Sequence, residues 1–299
     1  MRVARNSTPL AATTRYPSEF LKVRLLPYRT MNCVGSHCGS RLLRTAIVAI
    51  GALLIVSAST QPGFSQEPKG CAAPDDVVAV KRFHKELGCN FLAMWTSENL
   101  IPLAIGTGAT LAGSPADDNV AAYFSAEGRW GSYDSVGKQL GKTYVIGPAV
   151  GLAFLASRAT DNEKFQRFSY SLAQGFVITN GITGGIKVAA NRTRPDGSDQ
   201  RSFLSGHTSN SFVVASVMAH HYGWKAGVPA FAVAAYVGST RFHSRKHFVT
   251  DVAAGATLGF IIGRTVSKRY RGDRDSRVSW GAGVAPGGGV ALTLRVRPW

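Results

Sequence analysis

Acidic residues are scarce in this sequence: 17 Asp and Glu face 34 Lys and Arg across 299 residues, a formal charge of +17. Charged residues make up only 17%, below the ~25% of an ordinary soluble domain. That balance excludes a disordered, solvated chain. The four cysteines contain no Cys-x-x-Cys spacing, so a thiolate zinc site has no basis. Carboxylates do not cluster as a Mg²⁺ site requires, and no repeat at a solenoid period is visible. A basic stripe along the body is missing too. The charge is +7 over residues 1–44 and +6 over 264–299, leaving +4 for everything between. Nucleic acid is therefore not an expected partner.

The apolar run 46–56 (AIVAIGALLIV) lies in a charge-free stretch, 45–66, just after Arg41 and Arg44. It is short for a spanning helix, which needs ~20 residues. A basic flank, a short apolar core and the small residues Ser57, Ala58 and Ser59 make a secretory signal, with an uncleaved anchor as the alternative. Met31 is a candidate start, because 31–66 alone is a well-proportioned signal. The chain is expected to be exported to the cell envelope, on the periplasmic side. In an oxidising envelope Cys71 and Cys89 can bridge, and two unpaired thiols remain the alternative.

The rest of the chain has a helical pattern. Val77, Val78, Phe83 and Leu87 recur at near-helical spacing, and uncharged stretches follow at 99–116, 143–157, 168–186, 202–224, 226–240 and 252–263. In the last twenty residues Val290, Leu292, Leu294 and Val296 alternate with other residues after a Pro-Gly-Gly-Gly turn at 286–289. The expected fold is all-α: a bundle of about six helices with a short C-terminal β-hairpin. The expected organisation is an N-terminal extension and signal, 1–66, a helical domain, 67–270, and a tail, 271–299. The stretches are short and rich in small residues, which suits both a buried core and a helix interface within a membrane.

Chemistry concentrates between residues 187 and 247. This region holds five of the seven histidines and a charge of +6. Cations among apolar helices need partners, and with few carboxylates nearby an anionic ligand fits. Lys187 and Arg194 are seven apart, which places them on one helix face before Pro195 ends the helix. Ser205-Gly206-His207 opens a second helical run, where exposed N–H groups and the positive dipole end suit a phosphate. Arg241, His247 and Asp251 form the third set. His247 and Asp251 are one turn apart on an expected helix, so the carboxylate can hold the imidazole tautomer and stabilise its cation.

These three segments resemble the signature of the type 2 phosphatidic acid phosphatase (PAP2) and vanadium haloperoxidase superfamily. The first reads Lys187-Val-Ala-Ala-Asn-Arg-Thr-Arg194-Pro195, the second Leu204-Ser205-Gly206-His207, and the third Thr240-Arg241, five residues, His247, three residues, Asp251. Leu204 replaces the family's Pro and Thr240 its Ser. The resemblance implies that His247 is the nucleophile, Asp251 orients and activates it, and His207 is the acid for the leaving oxygen and then the base for water. Lys187, Arg194, Ser205, Gly206 and Arg241 would bind the phosphate oxygens. It implies no cofactor and no metal, with charge stabilisation left to the protein. The implied substrate is a phosphorylated lipid, such as phosphatidate or a polyprenyl diphosphate, or a small phosphate ester, met at a membrane surface or in the inner membrane. A vanadium-dependent haloperoxidase and a non-enzymatic anion-binding envelope protein are the alternatives. His220 and His221 read as packed residues at a helix end, Arg192 and Arg201 as loop cations, and Asp196 and Asp199 as turn formers around Gly197.

Overall fold

Each of the six uncharged stretches forms all or most of a helix of 14 or more residues: α2 (Leu100–Gly113), α5 (Thr143–Arg158), α6 (Glu163–Ala190), α7 (Gly206–Tyr222), α8 (Trp224–His243) and α9 (Val249–Arg271). Three shorter helices join them: α1 (Phe83–Ala93), α3 (Asp117–Tyr123) and α4 (Asp134–Leu140). The structure is a computed structural model that describes residue 71, residues 82–124 and 134–271, and the backbone of 278–284 and 290–296. All of these fall in one unit, Arg44–Trp299. The body is all-α. The expected signal, residues 77 and 78 and the turn at 285–289 lie outside the described residues. In the tail, the backbones of β1 (Val278–Val284) and β2 (Val290–Val296) run antiparallel, with Val278 opposite Val296.

Helices α6, α7 and α9 form the centre. Ile178, Val213, Val217, Ile262 and Val266 are buried there in one cluster, each contributing roughly 1.5–3 kcal/mol. The pair α7 and α9 approach closely because Gly255, Gly259 and Gly263 repeat at one helical face. A Cβ at these positions would lie 2.7 Å from Ser205 O, 2.3 Å from Ser209 O and 2.6 Å from Ser216 Cβ. Only hydrogen side chains admit that contact. It places the N-terminus of α9 beside the N-terminus of α7, where the motifs meet.

Helix ends set the rest. Asn162 caps α6, its side chain accepting from Phe165 N at 3.0 Å. Asn191 stops α6 in the left-handed region, at φ 42° and ψ 45°, a conformation Asn tolerates better than most residues. At the opposite end of the bundle Cys71 and Cys89 form a disulfide with a sequence separation of 18. Closing such a loop stabilises by about 3 kcal/mol in the chain-entropy account. There Arg269 Nη2 donates to Cys71 O at 2.8 Å and to Glu86 Oε2 at 3.1 Å. Among the described residues, α9 over Val249–Tyr270 is long and apolar enough to cross a membrane, with mean hydropathy 1.2 and 56% buried inside the bundle. The bent pair α4 and α5 passes the same test together, at 49°.

Candidate active site

The sequence places the first pair, Lys187 and Arg194, on one helix, and the structure corrects this. Asn191 ends α6 after Lys187, and Arg194 sits in the loop beyond. That loop folds back on itself: Ser202 N donates to Arg192 O at 2.9 Å, Arg194 N to Asp199 O at 3.0 Å and Gly197 N to Arg194 O at 3.0 Å. Its return strand then reaches α7, where Ser205 N donates to Asp251 O at 3.0 Å. The loop after α8 closes in the same way, Lys246 N and His247 N donating to Arg241 O at 3.1 and 3.3 Å. Backbone bonds thus draw the ends of α6, α7, α8 and α9 together.

His247 precedes α9 instead of lying on it, so its pairing with Asp251 differs from a simple one-turn contact. Its Nδ1 lies 2.6 Å from Ser202 O. A carbonyl only accepts, so Nδ1 carries the proton and Nε2 is left with a lone pair. Asp251 Oδ2 is 3.7 Å from Nδ1, too far for a hydrogen bond and close enough to act as a charge. The carboxylate is itself fixed: Oδ2 accepts from Ser202 Oγ and, at 2.9 Å, from Phe248 N, and Oδ1 accepts from Arg192 Nη1 at 2.7 Å. Burial pushes His247 down to about 4; Asp251 opposes this, and Lys187 and Arg241 add to it. The resting imidazole is neutral at pH 7.

His207 is the second residue of α7 and packs against Gly141, where a Cβ would come within 2.7 Å of its Cβ and Cδ2. Burial, then the positive charge of Arg241 and the proximity of His247, hold it down at about 3, opposed by a main-chain contact at Lys138. His207 therefore lies within electrostatic reach of His247.

Three cations surround them. Burial and the neighbouring Arg194 push Lys187 down to about 8, against Asp251 and Asp199. Its Nζ donates to Arg201 O at 2.7 Å. Burial and Arg194 lower Arg241 to about 10, and its buried Nε has no hydrogen-bond partner. Arg194 Nε donates to Asp199 Oδ1 at 2.6 Å. Carboxylates are better matched to the cations than the sequence suggests. Asp199 meets Arg194, Asp196 meets Lys246 at 2.5 Å, and Asp251 meets Arg192. Asp196 and Asp199 also make their turns, accepting from Ser198 N and Arg201 N. Gly206 opens α7, and a Cβ there would lie 3.9 Å from Lys187 Cε. Ser205 caps α7, its Oγ 2.8 Å from Thr208 Oγ1, so its hydroxyl serves the helix end. Thr240 likewise turns its hydroxyl to Val237 O, at 2.7 Å.

Sequence reasoning passed over four residues here. Arg192 reads from the sequence as a loop cation, whereas Asp117, Ser202 and Thr250 carry no signal there. Asp117 comes from α3, and its bonds to Thr250 and Arg192 tie it to the start of α9. His220 and His221 end α7 as expected, bonded to Ser216 O at 2.8 Å and Ser171 Oγ at 3.1 Å. Among the described residues no group of three His, Cys, Asp or Glu is placed to hold a metal ion.

The helical bundle thus brings Lys187, Arg194, Arg241 and the imidazoles of His207 and His247 toward one end. Residues 168–274 match the PAP2 superfamily, and the resemblance read in the three motifs is thereby shown. The chain is 32% identical over 94 residues to the lipid A 1-phosphatase of Porphyromonas gingivalis, covering 30% of this chain and 21% of that protein. It is 26% identical over 114 residues to the lipid A 4'-phosphatase of Helicobacter pylori, covering 34% and 58%. The match thus spans about a fifth of the first relative's length and less than two thirds of the second's. Among solved structures, a transmembrane PAP2 type phosphatidylglycerolphosphate phosphatase from Bacillus subtilis aligns with TM-score 0.49 and 20% identity, over 61% of this chain and 99% of that one.

Proposed function

We propose that this protein is an exported phosphatase that removes phosphate from lipid phosphates without a metal ion. The observation that carries this reading is the tautomer of His247: a proton fixed on Nδ1 leaves Nε2 as a free nucleophile beside Lys187, His207 and Arg241. In the proposed reaction Nε2 attacks phosphorus, the N–P bond forms, and the P–O bond to the leaving group breaks. His207 supplies the proton to that oxygen. It then takes a proton from water, which attacks phosphorus and returns His247 free. Lys187, Arg194 and Arg241, with the N–H of Gly206, hold the equatorial oxygens. His207 is neutral in the empty site, and a phosphate dianion between it and Arg241 favours the imidazolium needed for proton donation.

The lipid class is supported by the relatives' names and by exposed apolar side chains, such as Tyr144, Leu152 and Leu155 on α5 and Trp224 and Val228 on α8. These suit contact with a membrane or its surface. The catalytic domain is assigned to 67–270, with 1–66 as signal or anchor and the tail 271–299 as a β-hairpin. The test is phosphate release by the purified protein from lipid A, phosphatidate, undecaprenyl diphosphate and an aryl phosphate, with EDTA and vanadate as arms. Turnover is expected to survive EDTA and to be blocked by vanadate. His207→Ala is expected to slow the lipid substrates by ~10²-fold or more and the aryl phosphate far less, because a good leaving group needs little protonation. Activity lost in EDTA and restored by Mg²⁺ counts decisively against this mechanism.

A further inference from the structure

The guanidinium of Arg192 stands between two buried carboxylates at the start of α9. Nη1 donates to Asp251 Oδ1 at 2.7 Å and to Thr250 Oγ1 at 2.7 Å, and Nη2 donates to Asp117 Oδ2 at 2.8 Å. The group lies over the Phe248 ring, 4.1 Å from its centroid. Asp117 is bound in turn by Thr250, whose N–H donates to Oδ1 at 3.0 Å and whose hydroxyl donates to Oδ2 at 2.7 Å. Asp251 is fully buried and Asp117 is 6% exposed.

Charge arithmetic makes this arrangement informative. Arg192 with Asp251 alone would be a neutral pair, leaving little net charge for an imidazolium. Arg192 shared between two carboxylates leaves the group at −1, and the face of Asp251 turned toward His247 keeps its negative potential. A guanidinium serves two acids at once because its donors form a rigid fork, which an ammonium does not. The remaining charges facing His247 come from Lys187 on α6, His207 on α7 and Arg241 on α8. All of these are cationic or neutral, so Asp251 is the anion its cation depends on.

We propose that Asp117 and Arg192 are positioning residues for the nucleophile: Arg192 fixes the Asp251 carboxylate, and Asp117 shares the guanidinium so that Asp251 retains the charge that stabilises His247 when it carries phosphate. This rests on the phosphatase reading for its kinetic consequence. The side-chain hydrogen bonds of Asp117 and Arg192 go to each other, Thr250 and Asp251, and neither is among the residues proposed to hold phosphate, so the effect is expected on the chemical step.

The experiment compares wild type, Asp117→Asn, Asp117→Glu and Arg192→Lys in the full chain. Kinetics are measured with the best substrate of the phosphate-release panel, and the His247 imidazole is titrated by ¹⁵N NMR. Asp117→Asn is expected to lower kcat by about 10-fold or more, the scale seen when groups that orient a site's direct ligands are lost, with KM within about twofold. His247 should titrate at lower pH, because the group has lost its net negative charge. Asp117→Glu should restore part of kcat. Arg192→Lys should also lower kcat at unchanged KM, and it keeps the charge should Asp117→Asn fail to fold. A fall in melting temperature with kcat and the His247 titration unchanged overturns the proposal and makes the network a structural clamp. If wild type releases no phosphate from any substrate, the functional reading fails instead, and the NMR titration still decides whether Asp117 sets the charge at His247.

Discussion

The Nδ1 nitrogen of His247 sits 2.6 Å from the main-chain oxygen of Ser202. The same residue's hydroxyl holds Asp251, so Ser202 bridges the imidazole and the carboxylate, which interact through charge at 3.7 Å without a direct hydrogen bond. A main-chain acceptor cannot change its protonation state, which makes the tautomer independent of pH across the neutral range. Resting His247 is therefore expected to show ¹⁵N shifts of an Nδ1-protonated imidazole from pH 6 to 8. His247→Ala should abolish turnover and leave no acid-labile phosphoenzyme with a labelled substrate. Label trapped on His207 would reverse the two roles.

Both histidines are also pH-dependent contributors to stability. Their folded-state values, about 4 for His247 and about 3 for His207, lie below the ordinary ~6.5. The unfolded chain thus binds protons that the folded one refuses, and stability falls as pH drops from about 6.5 toward 4. Above 6.5 the two contribute fully. The limiting slope is about 1.4 kcal/mol per pH unit for each histidine. Asp196, held near 2 by Lys246 and Ser198 against its burial, is lost only below that window. Urea midpoints should therefore fall steeply between pH 6.5 and 4.5 and flatten above 7. In His207→Gln the fall should be shallower by one histidine's share, and an unchanged slope would refute the assignment.

What was legible in the sequence follows from how local each signal is. The six uncharged stretches gave the six long helices because a bundle's buried faces leave no room for charge. The three motifs were legible because each is short and its spacing survives folding. Arg194 was misplaced because Asn191 stops the helix by a left-handed turn, and Asn alone is a weak stop signal beside Pro195. His247 lies two residues before the helix that its spacing to Asp251 suggests it shares. Asp117 was beyond reach: it meets Thr250 across 133 residues, a pairing that only the tertiary fold makes. Ser202 orients His247 through its main-chain oxygen, a group every residue possesses.

The close contact of α7 and α9 can be tested by two substitutions of opposite sign. At Gly259 a Cβ would lie 2.3 Å from Ser209 O and 2.9 Å from Val213 N, both backbone atoms that cannot step aside. Gly259→Ala should destabilise by about 1–3 kcal/mol or more and reduce activity by shifting the start of α9. Gly181 on α6 has nothing within 4 Å of its added Cβ, so Gly181→Ala should stabilise by up to about 1 kcal/mol through helix propensity. Denaturant unfolding of both variants checks the contrast. Equal effects would mean that the helices adjust without cost.

Anion binding should depend on the protonation of Lys187. Burial and Arg194 lower it to about 8, so in the empty site the ammonium is lost as pH rises through that value. A bound phosphate or vanadate adds negative charge beside Lys187 and raises its pKa again, so binding near pH 8.5 should take up protons. Vanadate affinity is therefore expected to weaken above pH 8, and calorimetry in buffers of different ionisation enthalpy should show the uptake. Lys187→Arg keeps its charge at every working pH and should flatten this alkaline loss, even if the longer fork binds less tightly overall. Lys187→Met should weaken binding at pH 7 and remove the dependence entirely. An alkaline loss that persists in Lys187→Met would assign it to another group of the site.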